Sequence, residues 1–532
     1  MSDEDHNHGL EGTETREEIE QVKISTSQSQ ASSSHKEVVL NIRPEKLIPE
    51  LVKLQKELYP TERERERQNI KVEIKKIPEI MKRIKKFDKY FKPEWTFGPI
   101  HYRHSLKLDI KRKLAALFIS VNGSTTEDIF EDFEKNIDGI RPCFGEDIIS
   151  DIGNEELMGL LFLDGCAMLG FILCYVNWRL KEVGISDVEA ANIERDLLLL
   201  ENQIPFRVLE VLIDSGKDQG KKELRDSVVT FVYLVCRGTL PGHSNEDLYE
   251  NLEKYCFSPE INKNRKAVHL LDAFRKALLF NPSSFDLFGC LLTVGRGTFW
   301  ILCSCGCLAI SYFLRRFKPE PQYNIVSFFR RVKEFFFSVQ ELKAAGIKFK
   351  PSHSLKTVTF RSLFFFRPQL MLPTLIVDDS TASKLVNLVA YEMCLSESRP
   401  NKKPWVTSYV NLLDSLVDNE QDIKDLRAAG ILRNTLSTDL LAAELINNVG
   451  TGCIAPTVDA YMDVKEKIDN HYRTTCVIWM AQFCSTHFNT PWTITALFAA
   501  TAVLVLTAIQ TCLLTNIASL TIKSRDSTKG QT

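Results

Sequence analysis

Three groups of residues in this chain have the types and spacing that chemistry asks for. Cys303, Cys305 and Cys307 form a run of alternating thiols. Thiolates bind zinc, but zinc sites favour C-x2-4-C pairs completed by a second pair elsewhere. On a helix only Cys303 and Cys307 share a face, and Trp300, Ile301, Leu302 and Leu308 around them point to burial. Asp378 and Asp379 are adjacent carboxylates of the kind used in acid–base catalysis. They precede Ser380 and the apolar series Leu385, Leu388 and Val389, so the expected role is a helix N-cap and first turn. His101 and His104 lie in GPIHYRH with no acidic or cysteine partner at useful spacing, and read as satisfied loop histidines. No phosphate loop, zinc-protease helix, nucleophile elbow or kinase set occurs, and Gly295 and Gly297 are too sparse for a dinucleotide site. An enzyme would have to bring Asp164, Glu201, His101 and Asp378 together. The expectation is no enzyme, no cofactor, no metal and no evident small-molecule substrate.

The elements that position these residues read as helices. Ile74, Ile77, Ile80, Met81, Ile84 and Phe87 recur at helical spacing within a basic stretch, which predicts one amphipathic helix docked on the core. Ser124 with Glu127, and Ser186 with Glu189, have capping-box spacing. Ile129, Phe130 and Phe133 follow the first box. Pro205 suits the first turn of a helix whose inner face is Phe206, Leu209, Leu212 and Ile213. Tyr409, Leu412, Leu413, Leu416 and Val417 mark another buried stripe. Gly346 and Gly430, each after a Leu-x-Ala-Ala ending, fit the left-handed position past a helix C-terminus. Residues 347–349, 357–360 and 362–366 are β-prone with turn residues between them, which predicts a small hairpin or sheet.

The bulk composition supports a folded body. Of 532 residues, 44% are hydrophobic and 26% charged, with a net charge of -2 that gives no pull toward nucleic acid. The 14 scattered cysteines read as buried free thiols, in contrast to a dense secreted disulfide framework. Residues 1–37 are acidic and Ser/Gln-rich, expected to be disordered, and show no secretory h-region, so synthesis in the cytosol is expected. Residues 474–522 carry no formal charge. Within them the stretch from Ile494 to Leu514 is long enough to span a bilayer, with Trp492 at one boundary and Lys523 and Arg525 at the other. A second apolar run, 298–314, is shorter and reads as a buried helix. Orientation has two readings. A short tail favours the bulk in the cytosol, whereas the basic tail favours the opposite by the positive-inside rule. In that opposite topology the single acceptor triplet Asn122-Gly123-Ser124 would be open to glycosylation.

Several blocks then resemble one family. Residues 194–206, ERDLLLLENQIPF, are similar to the hallmark of the plant-specific domain of unknown function 247 family. They include Glu194, Arg195, Asp196, Glu201, Asn202, Gln203, Pro205 and Phe206. Supporting blocks run in family order: Phe97-Gly98-Pro99 with His101, then Asp164-Gly165-Cys166, then residues 341–349 with Gly346. After them come Asp378-Asp379-Ser380-Thr381, residues 387–392 with Asn387, Tyr391 and Glu392, residues 406–409, and Asn489-Thr490-Pro491-Trp492. Gly170 stands where the family often has Glu, and Ile100 where it has an aromatic residue. The family has no established catalytic residues, so these positions carry over as structural signatures. The resemblance implies a helical domain, a C-terminal membrane helix and a plant source. Some grass members are implicated in pollen-side self-incompatibility, and the resemblance leaves open whether this chain shares that role.

The expected fold is mainly α: a helical domain at 38–485 with a small β-hairpin or sheet, one transmembrane helix at 491–516 and a polar tail at 517–532. The expected function is non-enzymatic recognition or signalling through an unidentified protein partner, at a plasma or endomembrane crossed once, with the bulk cytosolic. A membrane-associated enzyme of unrecognised chemistry and an intracellular scaffold are the alternatives.

Overall fold

The structure, a computed structural model, describes residues 73–104, 107–242, 245–257, 266–281, 337–363, 366–398, 402–452 and 458–472, together with 499, 503–507 and 509–511. The tail 1–37, the cysteines of the 298–314 segment, and Trp492, Ile494 and Leu514 lie outside the described residues.

Past residue 73 the chain departs from expectation. The single amphipathic helix predicted over 74–87 is broken into pieces. Ile74 bridges to Phe144. There follow α1 (Glu79–Lys82), a 3-10 turn at Lys85–Phe87 and α2 (Asp88–Phe91). Pro78 is the physical cause. It disfavours helical geometry at Ile77 and caps α1 itself. The apolar pattern is still used, since Ile74, Ile77, Met81 and Phe87 are buried, but Ile80 is exposed.

Helices α3 (Leu108–Asn122), α4 (Thr126–Ile140) and the one-turn α5 (Glu146–Ile149) lead to α6 (Asn154–Val176). The expected box at Ser124 is displaced by one residue. Thr125 is the N-cap of α4 and accepts from Asp128 N, because Ser124 Oγ donates to Ser215 O instead. Among the described residues α6 is the one helix long and apolar enough to cross a membrane, with a mean hydropathy of 2.2. It is a core helix, since 72% of that apolar window is buried in the protein. Helices α3, α4, α8 (Phe206–Asp214) and α9 (Asp218–Thr239) pack around it. Before α8, α7 (Asp187–Asp196) begins at the predicted box of Ser186 and Glu189. Pro205 is the N-cap of α8, whose Phe206, Leu209, Leu212 and Ile213 are buried as their spacing predicts. Helices α10 (Asn245–Phe257) and α11 (Leu270–Leu278) close this layer against α9.

The second half combines helices with a small sheet. Helix α12 (Val339–Ala344) leads into β1 (Lys348–Ser352), β2 (Thr359–Leu363) and β3 (Phe366–Pro373). The strand order is β1-β3-β2, with β1 parallel to β3 and β2 antiparallel to it. The β-prone runs thus form the predicted small sheet. A second, two-stranded sheet pairs β4 (Leu375–Val377) in parallel with β5 (Leu432–Asn434), which the sequence did not signal. Around these lie α13 (Thr381–Ser398), α14 (Trp405–Leu416), α15 (Glu420–Ala428), α16 (Asp439–Gly450) and α17 (Met462–Tyr472). The stripe on α14 is buried as predicted.

Helices α12 and α15 end alike. Gly346 and Gly430 have φ of 81° and 75°. Ile347 N donates to Leu342 O and Ile431 N to Leu426 O, each at 3.0 Å, which is the six-to-one bond of a Schellman ending. The protein is therefore mainly helical with a small sheet.

Residues 503–507 and 509–511 are also helical. Their apolar side chains face outward, with Leu504 at 68% and Val503 at 61% exposure.

Candidate functional site

Three of the signature residues, Asp164, Asp196 and Asn202, converge on residues 94–98, which form no regular element. Buried N–H groups there must find partners. Asp196 Oδ2 accepts from Glu94 N at 2.7 Å and Trp95 N at 2.8 Å. Asn202 Oδ1 accepts from Phe97 N at 2.6 Å, and Asp164 Oδ2 from Gly98 N at 2.9 Å. Asn202 Nδ2 donates to Trp95 O and Asp196 O at 2.9 and 2.8 Å. Gln203 closes the buried loop after α7: Nε2 donates to Leu197 O and Leu199 O, and Oε1 accepts from Leu271 N.

Charges inside this hub are paired. Lys111 Nζ lies 2.6 Å from Asp164 Oδ1, with both side chains buried, and Arg195 holds Asp196 Oδ1 at 2.8 Å. Burial lifts both carboxyls above the usual carboxylate range; Lys111 and the Gly98 N–H draw Asp164 back, and the Trp95 N–H and Arg195 draw Asp196 back. Glu194 accepts from Tyr175 Oη at 2.7 Å and Lys384 Nζ at 2.9 Å. Glu201 accepts from Ile77 N at 3.0 Å and lies 3.1 Å from Lys82 Nζ.

Helix α13 ties in from the second half. Asn387 Oδ1 accepts from Leu200 N, and its Nδ2 donates to Tyr90 O, both at 2.8 Å. Glu392 takes Arg275 Nε and Nη2 on one oxygen, and Thr407 N and Oγ1 on the other. The Tyr391 ring meets buried His269 edge-on at 4.8 Å. Gly165 faces Leu212 and Val208 of α8, Cys166 is buried beside it, and the Phe206 ring meets Phe257 at a tilt of 58°.

The hub connects residues the sequence could not pair. His101 was expected to lack an acidic partner, yet its Nε2 lies 3.6 Å from Glu201 Oε2. Asp164 reaches the same stretch at Gly98. Asp378 works elsewhere: its Oδ1 accepts from Ser380 N, Ser380 Oγ and Thr381 Oγ1, which holds the turn leading into α13, at the helix start where it was expected. Asp379 beside it is exposed. Lys111, Lys384 and Arg275 gave no signal, because a lysine or arginine reads as solvated until a buried carboxylate is known to face it. Carboxylates whose lone pairs are filled by backbone N–H groups and fixed cations stitch chain segments together. They leave little free valence for acid–base work.

Two features lie apart from the hub. A cleft of ≈ 510 Å³ is lined by residues of α4, α8, α9 and α10, among them Asp132, Arg207, Glu210, Asp214, Arg225 and Phe257, together with Lys266. Lys266 pairs with Glu210, and Arg225 with Asp214. Glu73 feels the charges of Arg207 and Glu210; burial raises it to about 7, against the pull of the Cys143 thiol and Arg207. Burial likewise pushes the Cys143 thiol up to about 12. The second feature is Trp178, 92% exposed with its backbone in the left-handed region at φ 59°. Among the described residues no group of three or more His, Cys, Asp or Glu side chains is placed to hold a metal ion.

The family model DUF247, described as a plant protein of unknown function, matches residues 74–506. The UPF0481 protein At3g47200 of Arabidopsis thaliana is 26% identical over 79% of this chain and 82% of its own length. The putative UPF0481 protein At3g02645 of the same plant is 24% identical over 86% of this chain and 93% of its own. No solved structure matches the chain.

Proposed function

Because the chain belongs to the DUF247 family of plant proteins, a family of unknown function, we propose that it is a membrane-anchored recognition protein that works by binding another protein. The anchor is the C-terminal helix. The observation that carries the reading is helical residues 503–507 and 509–511, where Val503, Leu504, Val505, Leu506 and Ile509 are all at least half exposed. Five large aliphatic side chains in sequence are costly to leave in water, at about 25 cal/mol per Å². The hydroxyls of Thr507 and Thr511 donate back to Val503 O and Thr507 O, so neither presents an unpaired donor on that surface. Lipid would cover the aliphatic side chains.

Recognition is supported by Trp178. A tryptophan that is solvent-exposed and held in a costly backbone conformation has the profile of a binding anchor. The saturated hub supports the non-enzymatic half of the proposal. The narrower form, pollen self-recognition, requires alleles that differ at exposed positions, and near-identical alleles across a population would remove it.

The cleft favours a second reading, a membrane-associated enzyme, because Glu210 and Arg207 line it together and Glu73, which like Glu210 is raised by burial, feels the charge of both. The test of the first reading is fractionation. The full chain is expected in the carbonate-washed membrane pellet, and a chain ended at Tyr472 in the supernatant. In proximity labelling from the body, Trp178→Ala should lose a partner that the wild type labels, with the fold unchanged. A full chain in the supernatant sinks the anchor, and unchanged labelling sinks the role of Trp178.

A further inference from the structure

The acceptor triplet Asn122-Gly123-Ser124 is the one Asn-x-Ser/Thr sequence in the chain whose middle residue is not proline. Such triplets are modified as the chain enters the secretory lumen. Transfer from the lipid pyrophosphate carrier replaces one hydrogen on the asparagine Nδ2 with a bond to the sugar's anomeric carbon, and the carrier pyrophosphate leaves with the proton balance. The product must sit at a surface.

Asn122 does not. It is 0% exposed. Its Nδ2, the atom that would carry the sugar, donates to Leu212 O at 2.9 Å. Its backbone carbonyl accepts from Lys217 N at 3.0 Å. A methyl group on Gly216 would already lie 2.7 Å from that Nδ2, and one on Gly220 2.5 Å from Val121 O. Ser124 is committed as well, through Oγ to Ser215 O at 2.8 Å. The end of α3 is thus sealed against the turn between α8 and α9, with no path for an oligosaccharide.

A second observation is independent of the first. Among the described residues Cys143, Cys166, Cys174, Cys236 and Cys256 are buried free thiols. Burial holds Cys236 and Cys256 up at about 12. Five such thiols in one core suit a compartment that keeps thiols reduced during folding.

We propose that the helical body folds and works on the cytosolic side of its membrane, so that its partner is a cytosolic or membrane-cytosol protein. The membrane in this inference rests on the anchored reading above, whereas the triplet and the thiols report the compartment of the body alone. A lumenal body would receive a glycan at Asn122 before α3 could pack on α8, and this fold would not form.

The test is glycan mapping of the full chain expressed in plant cells. Glu156→Thr completes an acceptor triplet at Asn154, which is exposed at the start of α6. A second acceptor tag follows Thr532. The expected result is no enzyme-removable glycan on Asn154 or Asn122, with the tail tag modified. A glycan on Asn154 overturns the proposal. An unmodified tail on a chain that washes off membranes overturns the anchor instead, while a glycan-free Asn154 in that chain still upholds the cytosolic body. Protease digestion of sealed vesicles adds a readout free of any substitution: a digested body supports the proposal, and a protected one overturns it.

Discussion

Glu73 sits half-buried, held by the Cys143 thiol and within reach of Arg207, and its proton is released near pH 7 in the folded chain against 4.5 otherwise. Between those values the folded chain holds more protons than the unfolded one. Stability therefore falls as pH rises through that window and is flat above it. Glu73→Gln keeps an acceptor for the thiol and removes the titration. The variant should match the wild type near pH 4 and exceed it at pH 8 by about 1–2 kcal/mol, a figure already discounted for the water that reaches this group. Urea midpoints at the two pH values check it, and a gap that is equal at both would show that Glu73 does not titrate in this range. Nothing in the sequence marks Glu73, because its shift comes from burial in the fold, and the Cys143 thiol that partly opposes it is 70 positions away. The same limit hid the His101–Glu201 contact. By contrast, the place of Asp378 at the start of α13 was legible, because its partners Ser380 and Thr381 are its own neighbours. Local hydrogen-bond chemistry can be read from residue order, and long-range pairing cannot.

Two glycines on α6 turn the same contrast into a measurement on one helix. At Gly170 an added Cβ would lie 2.1 Å from Leu114 O, a backbone atom of α3 that cannot swing aside. At exposed Gly159 an added Cβ meets nothing within 4 Å. Gly170→Ala should therefore cost about 3 kcal/mol or more, or prevent folding. Gly159→Ala should stabilise by about 0.5–1 kcal/mol through helix propensity alone. Thermal melts of the two variants check the opposite signs, and a harmless Gly170→Ala would mean that α3 and α6 do not pack as closely as described. The contact also explains why the glutamate common in the resembling family has no room at this position of this chain. Elements were legible where period, cap and stop agreed, as in α7, α8, α14 and the glycine-ended pair α12 and α15. They were misread where a competing bond intervened: Pro78 split the first helix, and the Ser215 carbonyl drew Ser124 away from the cap of α4. The β4–β5 pair gave no signal because three-residue strands are too short for alternation to register.

At the scale of the whole molecule, the core closes within the described body by Tyr472. Tyr461 Oη donates to Leu355 O at 2.6 Å, Ile468 is fully buried, and the Lys465–Asp459 pair pins the start of α17 at 2.7 Å. The helical residues 503–507 and 509–511 bury none of their large apolar side chains in that core. If they serve lipid, they add nothing to the stability of the body. A chain ended at Tyr472 should then melt within about 2 °C of the full chain in the same detergent, since a shift of 1 kcal/mol moves the melting temperature of a large domain by about 2–4 °C. The same pair of proteins separates the anchor from the scaffold alternative, in which the apolar segment docks on its own core. Docking five aliphatic side chains would contribute several kcal/mol at about 1.5–3 kcal/mol each. Truncation would then lower the melting temperature by roughly 10 °C or more. It would also expose a matching apolar patch and favour aggregation. Equal melting together with loss from the membrane pellet fits only a body that is complete without its C-terminal helix and uses that helix to choose its surface.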